Sequence, residues 1–164
     1  TTTFMFDQAL ERYKDVCDII RQQLKKVNVD IVLQGLDKAT SEQRVWITFD
    51  YDLWVGNTSF GSDPSTGVER FYVTEMIPPM PFTNANEYSN PEVDRLFSLG
   101  RSTIDIKKRG PYYREVQLIL MKDLPVLPLL ELPKFAAFPK KIRGVHERRF
   151  YAFYYVASDA WIAK

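Results

Sequence analysis

The sequence predicts an α/β fold, a mixed sheet flanked by helices, and three adjoining stretches carry that prediction. Thr1–Phe6 is rich in Thr and Phe and reads as a strand. Leu10, Tyr13, Cys17, Ile20, Leu24 and Val27 recur at spacings of three and four, one apolar stripe over five turns of helix. Val27–Leu33 is a β-branched run and reads as a second strand. A helix of this length between two strands predicts that they run parallel, joined by a right-handed crossover.

The remaining elements follow in order. Asp7 is expected to cap the first helix. Leu36–Val45 is polar enough for a short surface helix or a loop. Tyr51–Val55 reads as a third strand that stops at Gly56-Asn57. From Asn57 to Gly67 turn formers dominate. This loop leaves the carboxyl end of a parallel strand, where open α/β sheets bind ligands. Asp63-Pro64 predicts an N-cap with Pro at the first helical position, opening a helix over Ser65–Tyr72. The three prolines of Met76–Pro81 force an extended connection.

Ser89-Asn90-Pro91-Glu92 opens another helix. Either Asn90 caps it with Pro91 at the first position, or Ser89 and Glu92 form a capping box. Val93, Leu96 and Phe97 then face the core. Asp105 starts a further turn, and Gly110-Pro111 is expected near a helix start, because Pro inside breaks the ladder. Tyr113, Val116, Leu120 and Leu124 form a second stripe that Leu124-Pro125 ends. Val126–Leu132 is apolar throughout and predicts a strand covered on both faces. Phe135–Phe138 and the aromatic Phe150–Val156 read as further strands, and the basic residues Lys140, Lys141, Arg143, Arg148 and Arg149 as a solvated face.

Composition narrows the function. The 164 residues suit one domain, and the balance of 22 basic against 21 acidic residues argues against a nucleic-acid partner. No apolar run is long enough to span a membrane as a helix. One cysteine, Cys17, allows no intrachain disulfide, and its place on the apolar stripe marks it as a small buried hydrophobe. One histidine, His146, gives no pair or cluster for a metal. A Cys17–His146 nucleophile pair is formally open but disfavoured by that stripe. No phosphate-cradling glycine motif occurs, and no cofactor or metal is expected. Asp50 and Asp52 would share one face of a strand, the pattern of an acid/base pair, against the simpler reading of a turn aspartate and a strand-start aspartate. The chain opens on a strand already under way, so an internal fragment is expected.

Several stretches together resemble one family. They are Ile20–Val27, Asp50–Leu53, Asp63-Pro64 leading to Phe71-Tyr72, Tyr88–Leu96, Tyr113–Gln117, Leu124–Leu129 and Lys141–Val145. In order and spacing they are similar to the C-terminal lobe of the family 5 extracellular solute-binding proteins of ABC importers. The resemblance implies a type II periplasmic-binding-protein lobe spanning residues 1–164, with residues 146–164 returning toward a missing N-terminal lobe. It implies a non-enzymatic receptor, periplasmic or anchored outside the membrane. Such a receptor closes on a small solute (peptide, sugar derivative or conjugate) and docks on a membrane permease. Trp54, Asn57, Ser59 and Phe60 are the expected ligand contacts, with Tyr88 a further one. Peptide-binding members place an aspartate for the peptide ammonium four residues before the Pro of the Asp-Pro pair. Here that position is Phe60. A buried ammonium is costly against an apolar ring. The resemblance therefore implies a sugar-derived or amino-acid-conjugate ligand instead. The alternatives are a hydrolytic α/β enzyme using Asp50 and Asp52, and a stand-alone interaction module using Met76–Pro81 or the basic stretch around Arg143.

Overall fold

The computed structural model describes residues 2–58, 63–131, 139–144 and 160–163. The chain divides into two compact units, Thr1–Val126 and Leu127–Lys164.

The first unit opens with β1 (Thr2–Asp7), α1 (Glu11–Lys25), β2 (Ile31–Leu36), α2 (Lys38–Trp46) and β3 (Leu53–Trp54). The sheet has the order β2-β1-β3, and both pairings are parallel. Because β1 is central, its side chains alternate between two covered faces. Phe4 and Phe6 pack with Tyr13 and Cys17 of α1, while Met5 packs with Val45 and Trp46 of α2. This packing explains the apolar stripe of α1 and the buried Cys17, whose thiol burial pushes up to about 12.

Local chemistry shifts several boundaries. Asp7 does not cap α1; its carboxylate accepts from the Ala9 N–H, and Leu10 stands at the cap position without a side-chain bond. The second strand begins at Ile31, because Asn28 takes a left-handed φ of 61° and turns the chain after the helix. Residues 38–46 are helical because the Asp37 carboxylate accepts from the Thr40 N–H and hydroxyl.

The rest of the unit is helical. Asp63 caps the single turn α3 (Pro64–Gly67), and 3-10 turns follow at Glu69–Phe71 and Thr74–Met76 in place of one longer helix. Asn90 caps α4 (Pro91–Ser102) through the Glu92 N–H, and Ser89 instead meets the Thr74 hydroxyl. Val93, Leu96 and Phe97 are buried against Val116 of α5 (Ile106–Asp123). Gly100 lets these helices approach: a Cβ there would lie 2.6 Å from the Tyr113 ring. Asp105 caps α5 by accepting from the Lys107 and Lys108 N–H groups. Pro111 therefore lies inside the helix, one turn later than expected. Pro111 has no N–H to offer the Lys107 carbonyl, so the helix forgoes that one bond at an exposed residue. Leu124 closes α5 with φ 47° and its N–H on the Leu120 carbonyl.

The expected strand at Val126–Leu132 is not formed by residues 126–131, and Val126, Leu127, Leu129 and Leu130 are exposed. An apolar run favours cover, but a strand is made by backbone pairing, and no described strand pairs with these residues. In the second unit β4 (Ile142–Arg143) pairs antiparallel with β5 (Trp161–Ile162). Lys140, Lys141 and Arg143 are exposed there. Phe135–Phe138, His146, Arg148, Arg149 and Phe150–Val156, for which strands and a solvated basic face are expected, lie outside the described residues. No helix among the described residues is long and apolar enough to cross a membrane.

Candidate ligand-binding site

A cavity of about 340 Å³ opens at the carboxyl ends of β1 and β3. Its position follows from the strand order. Helix α1 packs on one face of the sheet and α2 on the other, and the cavity lies at the strand ends between Tyr13 of the first and Ser41 and Trp46 of the second. Asp7 and Leu10 line it from the end of β1, and Val55, Gly56 and Asn57 from the end of β3.

Two expected contacts stand on this cavity. Trp54 donates its indole N–H to the Ser41 hydroxyl at 3.2 Å and packs edge-on against Trp46, ring centroids 5.6 Å apart. Asn57 accepts the Tyr13 hydroxyl proton at 2.8 Å, leaving its amide N–H₂ as a donor group at the cavity rim. Ser59 and Phe60 lie outside the described residues. Tyr88 lies elsewhere: its hydroxyl donates to Asp123 at 2.6 Å, and burial with that carboxylate pushes it up to about 12. It ties the loop before α4 to the end of α5 and is absent from the cavity lining.

Sequence reasoning missed Trp46 and Phe82. Trp46 sits at the last position of α2, and helical side chains lean toward the N-terminus, which carries its ring back toward the cavity. Phe82 arrives from the proline-rich connection. Its own φ is 63°, and the turn behind it is fixed by Asn84, fully buried and bonded to the Val73 and Tyr88 carbonyls. The three prolines signalled a rigid connection but not what it delivers. Lys38 and Glu42, 3.7 Å apart, complete the rim with Asp7.

Asp50 and Asp52 are not an acid/base pair. Both precede β3 and lie at the amino-terminal edge of the sheet, away from the cavity. Asp52 accepts from the Thr3 N–H and hydroxyl, and these bonds hold its carboxyl below the ordinary range. Asp50 is exposed and meets Arg44 at 2.9 Å.

No protein-family model matches the chain. Among curated proteins it is 26% identical over 129 residues to the peptide transport periplasmic protein SapA of Salmonella typhimurium, a match covering 78% of this chain and 23% of that protein. Among solved structures it is similar to the oligopeptide-binding protein AppA of Bacillus subtilis, held with a nonapeptide. That likeness has a TM-score of 0.77 and 20% identity, over 99% of this chain and 32% of the other. A mannohexaose-bound periplasmic oligopeptide-binding protein of Thermotoga maritima matches with a TM-score of 0.71 and 19% identity, over 78% and 24%. The fold is therefore that of the type II periplasmic-binding proteins. Within that class the chain resembles the family 5 extracellular solute-binding proteins of ABC importers. It spans about a quarter of the length of the relatives first matched.

Proposed function

We propose that this chain is the C-terminal lobe of an ABC-importer solute-binding protein, a receptor and not an enzyme. It supplies one side of a cleft in which a small solute is captured and handed to a membrane permease. The protein works in the periplasm or tethered outside the membrane. The observation that carries this reading is the cavity at the carboxyl ends of β1 and β3, walled by Trp54 and rimmed by Asn57. Its volume lies in the range of small-molecule sites. Ser59 and Phe60, the contacts expected from the sequence beside Asn57, are included in the proposed site.

The ligand we favour is a sugar derivative or an amino-acid conjugate. Tryptophan and phenylalanine faces pack on the apolar faces of sugar rings, and the Asn57 amide and neighbouring hydroxyls satisfy their polar edges. In the sequence, Phe60 occupies the position four before Pro64 at which the peptide-binding members carry an ammonium-binding aspartate. Calorimetric titration of the full-length protein with mannohexaose and with di- and oligopeptides tests this. Sugar binding that Trp54→Ala removes is expected. Tight peptide binding that depends on a free amine would overturn the ligand class. Binding that Trp54→Ala and Asn57→Ala leave intact would overturn the site.

A further inference from the structure

Trp46 carries an anomaly. The residue is only 6% exposed, and its indole N–H is buried with no hydrogen-bond partner among the described residues. A buried donor left unpaired is destabilising, and native proteins rarely keep one without use. Trp46 lines the same cavity as Trp54, whose own N–H is satisfied by Ser41. The two tryptophans are thus not equivalent: one is a finished wall, the other a wall with an unused donor.

The ring packed on Trp46 from the proline-rich connection is Phe82, at 5.6 Å between centroids and tilted 45°. Phe82 is 46% exposed and takes a φ of 63°, a conformation that a bulky L-residue adopts only under constraint. The constraint lies behind it. The Thr83 hydroxyl donates to the Met80 carbonyl at 2.6 Å, and Asn84 is locked in the core. The backbone holds Phe82 against Trp46, while the other side of its ring faces solvent.

We propose that the Trp46 indole N–H is a ligand-binding donor kept under Phe82, and that the ligand offers it a neutral oxygen acceptor beside a flat apolar face. This rests on the cavity being the solute site. A sugar hydroxyl oxygen and a peptide carbonyl share that chemistry. A carboxylate is disfavoured there, because Lys38 on the rim is already paired with Glu42 and Asp7 adds a further negative charge.

Indole-¹⁵N-labelled full-length protein, titrated with mannohexaose and separately with an N-acetylated oligopeptide, decides the matter. The Trp46 indole proton is expected to move downfield and to exchange more slowly with water on binding, and the probe that produces this names the source of the oxygen. A shift at Trp54 with none at Trp46 overturns the donor role and leaves the solute site standing. No shift at either tryptophan, with no binding by calorimetry, removes the site and the donor role together. In the ligand-free protein, Phe82→Ala should speed water exchange of the Trp46 indole proton by about tenfold. Unchanged exchange overturns the cover.

Discussion

Arg109 grips both carboxylate oxygens of Asp63, at 2.7 and 2.8 Å, across 46 residues of chain. The same guanidinium meets the Tyr113 hydroxyl and lies 5.0 Å from that ring's centroid. Asp63 in turn caps α3 through the Ser65 N–H. The fork therefore fastens the downstream end of the Asn57–Asp63 segment to α5, and the Asn57–Tyr13 bond fastens the upstream end to α1. Arg109→Met should lower the urea midpoint, because the Asp63 fork and the Tyr113 bond are lost together. Arg109→Lys should recover only part of that loss, since a point charge cannot make the fork. Urea denaturation measures both, and equal midpoints for Lys and Arg would remove the geometric argument.

Acid should weaken the fold through these carboxylates. The Ser65 hydroxyl, with Arg109, holds Asp63 below its ordinary 3.8; Thr3 does the same for Asp52, and Tyr88 with Asn90 for Asp123. A depressed carboxylate contributes stability above its ordinary value and loses it as pH falls through the folded value. Glu69 runs the other way: burial, opposed by Arg101, raises it above its ordinary 4.5, so its contribution declines as pH rises through that range. Thr40 lowers Asp37 and Arg95 lowers Glu92 in the same sense, so five depressed carboxylates against one raised predict a melting temperature that falls below about pH 4. Asp63→Asn should make the fall shallower in a pH series of thermal melts; an unchanged slope would exclude Asp63 as a source.

Gly56 keeps Trp54 in place. A Cβ at residue 56 would stand 2.1 Å from the far end of the Trp54 ring, so the indole must swing away from the cavity wall. Gly56→Ala is expected to leave the fold intact, because the atoms displaced are the tip of a side chain. Solute affinity should fall by about tenfold or more as the aromatic wall is lost. Calorimetry beside a thermal melt separates the two effects, and full affinity in a folded variant would show that Trp54 does not touch the solute.

The strain at Phe82 is measurable by two substitutions. Alanine removes the ring but keeps the left-handed penalty, whereas glycine removes both. Phe82→Gly should therefore be more stable than Phe82→Ala by about 1 kcal/mol. The reverse order in denaturant melts would mean that the backbone there is not held at positive φ.

Much of the first unit was legible in the residues. The stripe Leu10–Leu24 and the flanking strands gave a parallel β-α-β unit, and the loop after β3 marked the site's edge. Capping chemistry was readable wherever Asp or Asn preceded Pro, as at Asp63 and Asn90, because the cap is a bond between near neighbours. Pro111 sits inside α5 for a local reason, because Asp105 had already started the helix. Other departures arose where distant chain decided. Tyr88 looked like a ligand contact and is instead committed to Asp123. The apolar run after Leu124 forms no strand because nothing described pairs with it.

By itself the sequence determined the local elements and the end of the sheet at which a ligand would sit. Periodicity, caps and turn residues act over a few positions, and parallel β-α-β connections leave little freedom in where strand ends meet. Which side chains face the cavity was decided only by tertiary packing. Trp46 comes from the end of a helix and Phe82 from a proline-rich connection, and they meet because the buried Asn84 fixes one turn while Met5 and Val45 fix the other. Such contacts join residues tens of positions apart, and no local pattern encodes them.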